Sequence, residues 1–177
     1  MTTAESDSRP IPPPPNTVRR RTRRPLPPYR YVPGLTPHPF RHKGGHMYTD
    51  GSAPEHSFWD YRVEWATDPA AMFAADLFDY RYFWEAHEAW EAMWHGCPKP
   101  SVDRDVLQSL IQTAAALLQF HLGAPHTAAV LLDRARDRMD RAAVRRHRGI
   151  DIGGLFRDTE RFFQDGSYPL LNTESTP

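Results

Sequence analysis

Residues 82–95 read Tyr82-Phe83-Trp84-Glu85-Ala86-His87-Glu88-Ala89-Trp90-Glu91-Ala92-Met93-Trp94-His95. No glycine or proline interrupts them, and Gly96 follows as a natural stop. At about 100° per residue, Phe83, Ala86, Trp90, Met93 and Trp94 gather into one apolar arc. Trp84, His87, Glu88, Glu91 and His95 gather into a second arc beside it. An amphipathic helix whose polar arc is interleaved with tryptophans belongs inside a helical domain. It does not read as a plain solvated face.

Three readings of that polar arc are open. His87 and Glu91 are one turn apart, so a single helix can offer both to one cation. The spacing resembles the His-Glu-x-x-His pattern of zincins, with Glu91 at the second ligand position and Glu88 as general base on a metal-bound water. The second reading is a buried network in which Glu91 orients His87 and no ligand is involved. The third is intrahelical pairing at the surface, worth tenths of a kcal/mol.

The chain on either side of this helix also reads as helical. Asp68 and Pro69 form a capped start, and Met72, Phe73, Leu77 and Tyr80 give helical spacing over 69–80. Pro98 and Pro100 mark a loop, and Ser101 can cap a helix over 102–122. In it Leu107, Leu110, Ile111, Ala114, Leu117, Leu118 and His121 share a face, with Gln108, Gln112 and Gln119 along its edge. A lone histidine on such a face is normally a hydrogen-bonded core residue. A fourth helix is expected over 125–147, its alternating Asp133–Arg141 charges forming an outer face and its last turn carrying Arg145 and Arg146. A fifth is expected over 153–164. No strand-like alternation appears, so the class is all-α.

Composition divides the chain. Of its 177 residues 18 are proline, and eleven of these lie in residues 1–39. Residues 1–30 carry a net charge of +5, and the rest of the chain −5. Residues 1–28 hold too little apolar surface to offset the entropy of ordering, and predict a disordered, solvated tail. Its Arg19–Arg24 cluster is also a candidate contact for RNA or an acidic partner. Residues 29–67 are richer in aromatics and predict an irregular segment lying on the bundle, with His38, His42, His46 and His56 in it. The single Cys97 excludes a disulfide framework or a multi-cysteine zinc site, and its place after a helix C-terminus disfavours the thiolate. No run is apolar enough to span a bilayer and no signal peptide is visible, so the expectation is a soluble, cytoplasmic protein.

The Trp84–Glu91 motif with Trp94, the Leu107–Gln112 stretch, Ala114–Leu117 and Leu122-Gly123 resemble the domain-of-unknown-function family numbered 309, an all-helical prokaryotic family. Pro33-Gly34-Leu35-Thr36-Pro37-His38-Pro39 and Gly45-His46 resemble a longer subgroup. The likeness spans about residues 29–165 and implies a helical bundle without a settled activity. It implies a polar set of Glu85, His87, Glu88, Glu91 and Gln108. Relatives carry a histidine near the position of Leu118, whereas the nearest here is His121, so the likeness supplies no third ligand from that helix.

The expected architecture is a compact bundle of about five helices with an irregular N-terminal segment wrapped on it. The bundle domain spans 68–165, preceded by the tail 1–28 and the covering segment 29–67, and followed by a loose tail 166–177. The expected pocket holds Glu85, His87, Glu88, Glu91, Gln108, Gln112 and His121. A divalent metal ion would take His87 and Glu91, with His38 or His46 closing the site and Glu88 as catalytic base. The partner would be a small molecule and the chemistry hydrolytic. The competing function is a non-enzymatic interaction module in which the same set is structural.

Overall fold

Asp68 accepts a hydrogen bond from the Ala71 amide at 2.8 Å, and Pro69 fills the first helical position, so α1 starts where the sequence says it should. The computed structural model describes residues 9–50 and 62–171. Five helices follow in order: α1 (Pro69–Asp79), α2 (Phe83–Gly96), α3 (Val102–His121), α4 (Pro125–Arg141) and α5 (Ile152–Asp165). A two-stranded hairpin of β1 (Arg146–His147) and β2 (Ile150–Asp151) precedes α5. The protein is an all-α bundle. No helix among the described residues is long and apolar enough to cross a membrane.

α3 is the central element and packs chiefly on α2 and α4. Val106, Leu107, Leu110, Ala114 and Leu117 are fully buried along it. Ser109 and Thr113 are buried too, because each hydroxyl donates to the carbonyl four residues back, at 3.0 and 2.8 Å. The Ser109 hydroxyl also lies 3.3 Å from the Ala135 carbonyl of α4, where Ala128 and Ala135 are fully buried, which fits a close approach of the two helices.

Between α1 and α2 the chain reverses in three residues. Arg81 sits at φ 65°, a left-handed conformation that costs a non-glycine residue roughly 1–2 kcal/mol. Its guanidinium is held by the Pro12 and Pro13 carbonyls and lies 3.7 Å from the Tyr168 ring centroid.

The fourth helix is shorter than the expected 125–147. It ends at Arg141, and the basic run Arg145–Arg148 belongs to the hairpin. Arg148 and Gly149 both have positive φ, as a two-residue primed turn requires. Arg148 and His147 both reach Asp103 of α3, at 2.5 and 2.6 Å, and these contacts draw the run away from a helical path. Asp151 then caps α5 by accepting from Gly154 at 2.9 Å. A Cβ at Gly154 would lie 2.5 Å from an Asp151 oxygen, so the tight cap fits glycine there.

The expectation of a free tail over 1–28 does not hold for residues 9–28, which lie on the bundle. Ile11 is buried, and the Arg9 amide donates to the His121 carbonyl at 2.7 Å. Tyr80 and Tyr82 donate to the Val18 and Pro27 carbonyls, both at 2.9 Å. The physical reason is that α1 buries two carboxylates, Asp76 and Asp79, that need partners. Arg21 and Thr22 supply them, with the Arg21 and Thr22 amides 2.7 and 2.8 Å from Asp76. Residues 166–171 are likewise docked: Leu171 is buried and its amide donates to Asp79 at 2.6 Å. Residues 29–50 and 62–67 are irregular, with Tyr31, Val32 and Trp65 buried. His56, with Phe58, Trp59 and Tyr61, lies outside the described residues, as do residues 1–8 and 172–177.

Candidate functional site

The apolar arc of α2 is where its spacing puts it: Phe83, Ala86, Trp90 and Met93 are buried. Trp94 is half-buried under the Arg104 guanidinium, which stands 3.4 Å from the ring centroid. The polar arc faces the other way. His87, Glu88 and Glu91, all half-buried, offer one ligand atom each within 4.8 Å of one another. His87 Nε2 and Glu91 Oε2 are 3.8 Å apart. Burial holds the His87 pKa below the usual histidine value, against Glu91 and a hydrogen bond with the Ile111 backbone. The ring therefore keeps a lone pair available for a cation. Burial, reinforced by the Glu91 charge, pushes Glu88 up to about 7.

Glu85 lies one turn earlier and is 4% exposed. Burial pushes its pKa to about 7, opposed by the Tyr31 amide, which donates to Oε1 at 3.0 Å, and by Arg30. Oε2 has no hydrogen-bond partner. His46 Nε2 stands 3.4 Å from Glu85 Oε1, yet neither ring nitrogen makes a hydrogen bond. Burial lowers the His46 pKa. The ring is fixed by Tyr29, edge-on at 4.6 Å between centroids. It is fixed also by a tight turn in which Met47 donates back to the Pro39 carbonyl at 3.1 Å. Gly45 makes that turn feasible, since a Cβ there would lie 2.2 Å from the Pro39 oxygen.

Glu85, Glu88, Glu91, His46 and His95 share a cavity of about 490 Å³. One wall is α2, a second is Phe73 and Leu77 of α1, and the third is the Arg24–Pro28 strap with Phe40 and Met47. Arg24 contributes the cavity's arginine, and its guanidinium stands over the Phe73 ring at 4.3 Å. The result is an apolar chamber with carboxylates on one side, the general form of a small-molecule site.

The remaining expected residues lie elsewhere. His38 packs on Tyr31 and Trp84, and its Nδ1 accepts from the Phe40 amide at 3.2 Å, so it does not line the cavity. Neither Gln108 nor Gln112 lines it, although the Gln112 side-chain oxygen is buried without a hydrogen bond. His121 is a core residue: it stacks with Phe83 and Tyr168, and its Nε2 is 3.0 Å from the Tyr168 hydroxyl. Arg24, Phe73 and Met47 were not legible as site residues, because each reaches the cavity from a segment remote in sequence. His95 carried a signal, the shared arc of α2.

No curated protein matches the chain. Residues 72–131, which run from within α1 into α4 and hold the whole polar arc of α2, match the family described as Domain of unknown function (DUF309), and over that span the chain resembles this family.

Proposed function

We propose that α2 holds a divalent cation through His87, Glu88 and Glu91, and that the cation serves a small molecule lodged in the adjoining cavity. The observation that carries this reading is double membership. Glu88 and Glu91 belong both to the ligand trio and to the cavity wall. One imidazole and two carboxylates suit Zn²⁺ or Mn²⁺ and leave coordination positions for water or a ligand. A bound cation would offset the repulsion between the two carboxylates.

Hydrolysis is the chemistry such a site would support, by acidifying a bound water or polarising a carbonyl. Glu88 as a third ligand is no longer placed to act as the base. A second reading rests on the Tyr31–Glu85 bond, which ties the covering segment to α2. It makes the polar set a clamp within a non-enzymatic module.

Calorimetric titration of the full chain with Zn²⁺ and Mn²⁺ tests the proposal, alongside His87→Ala and Glu91→Ala. One-to-one binding that both variants lose supports it. No binding by the wild type overturns it, and a Glu85→Gln variant that then melts lower supports the clamp.

A further inference from the structure

We infer that the cavity between α1, α2 and the Arg24–Pro28 strap binds a protonated primary amine carried on an apolar chain, anchored by Glu85. This goes beyond the cation site and does not need a metal at His87.

The fold leaves two buried groups incomplete. Glu85 is almost wholly buried, and its Oε2 has no partner. The His46 side chain is 6% exposed, and both of its ring nitrogens lack one. Buried polar atoms are normally hydrogen-bonded, and here two such side chains line one cavity from opposite segments. A ligand that supplies donors to both would complete them.

The charge around the cavity selects the sign of that ligand. Among the described residues three carboxylates line it, those of Glu85, Glu88 and Glu91, against the guanidinium of Arg24, with Arg30 acting on Glu85 from outside the cavity lining. Arg24 is already engaged over Phe73. An anionic head would meet a wall of carboxyl oxygens, whereas an ammonium would find acceptors and counter-charge there. An ammonium also has three donors and no acceptor. One can go to Glu85 Oε2 and one to a lone pair on the His46 ring, leaving a third for water or Glu88. The opposite wall sets the rest of the molecule. Phe73 and Leu77 of α1 offer an apolar surface to a chain of several methylenes, each worth about 0.8 kcal/mol on burial. The strap and the His46 turn lie outside the span matched to the family, so this chain's own N-terminal segment shapes half of the cavity.

The test uses the full chain in the presence of EDTA, so that a failure of the cation site does not affect it. Hexylamine, hexanol and hexanoate share a chain and differ in the charge of the head. Isothermal titration is expected to show one-to-one binding of hexylamine, with hexanol and hexanoate at least tenfold weaker. Glu85→Gln keeps the shape and should weaken hexylamine at least tenfold, to the level of hexanol. Ala89→Leu adds methyl groups at the cavity wall without touching a charge, and should weaken hexylamine at least tenfold even where Glu85→Gln folds poorly. Hexanoate binding as tightly as hexylamine would overturn the inference. So would no binding of hexylamine by the wild type, or unchanged hexylamine affinity in Ala89→Leu or in a folded Glu85→Gln.

Discussion

The Arg21 guanidinium donates to the Asp79 carboxylate at 2.6 Å, joining the N-terminal strap to the end of α1 across 58 residues of chain. The same side chain donates to the Leu171 carbonyl at 2.6 Å, and the Leu171 amide donates back to Asp79. One arginine therefore ties both chain-terminal segments to the first helix. Burial still pushes the Asp79 pKa above the ordinary carboxylate value, against the opposing pull of Arg21 and Leu171.

Removing Arg21 leaves Asp79 and Asp76 with less compensation in a buried place. Breaking one side of a buried pair costs several kcal/mol when the other charge stays behind. Arg21→Ala should lower unfolding stability by about 3 kcal/mol. Urea denaturation reads this as a lower midpoint with an unchanged slope. Arg21→Ala in an Asp79→Asn background should cost less, because the uncompensated charge is gone. Equal losses in both backgrounds would show that the pair is not coupled.

Deleting residues 1–28 should behave like a core lesion. It removes Ile11, the Asp76 partners and the Pro25–Pro28 wall of the cavity. A melting temperature lower by about 10 °C is expected for a domain of this size, if a few kcal/mol are lost. An unchanged melting curve would mean that the strap adds nothing to stability. Arg20 donates to the Arg24 carbonyl, and Arg19 and Arg23 are exposed. A polyanion contact through Arg19–Arg24 would therefore have to work around arginines that the fold already uses.

How far the sequence was legible follows from how local each signal is. The α2 arcs were readable because burial follows a 3.6-residue period set within one helix. Asp76 and Asp79 were not, since a carboxylate in a short helix looks solvated until a partner more than fifty residues upstream is placed on it. The basic run 145–148 imitates the end of a helix, and an arginine at positive φ gives none of the usual Asn-Gly turn signature. Glu85 falls outside both arcs of the wheel and was singled out by resemblance alone. Its partners, the Tyr31 amide and His46, come from irregular chain with no period to read.

Cys97 should be inert in the native protein. It is buried, and its thiol is pushed up to about 11 by burial and by Asp103, against Arg104 and Arg148. The thiolate is the reactive form, so at pH 8 little of it exists. Reaction with a disulfide reagent at pH 8 should be at least a hundredfold slower than in urea-unfolded protein. A native rate near the unfolded one would show that the loop after α2 opens readily.

His121 should make stability fall in mild acid. It is buried beside Phe83 and Tyr168, and burial, aided by Arg81 and Arg9, lowers its pKa to about 4, against a backbone hydrogen bond with Arg9. The unfolded ring titrates near its ordinary value of about 6.5. Between those values the unfolded chain binds a proton that the folded chain refuses. The stability is therefore present above about pH 6.5 and is lost as pH falls toward about 4. The loss attributable to this ring should be about 2 kcal/mol, below the full shift because solvent reaches part of its surroundings. Urea midpoints at pH 7, 5.5 and 4.5 read it directly. His121→Gln keeps a hydrogen-bonding group toward Tyr168 but cannot titrate. Its stability should vary less between pH 7 and pH 4.5 than that of the wild type, and parallel curves would assign the acid sensitivity to other groups.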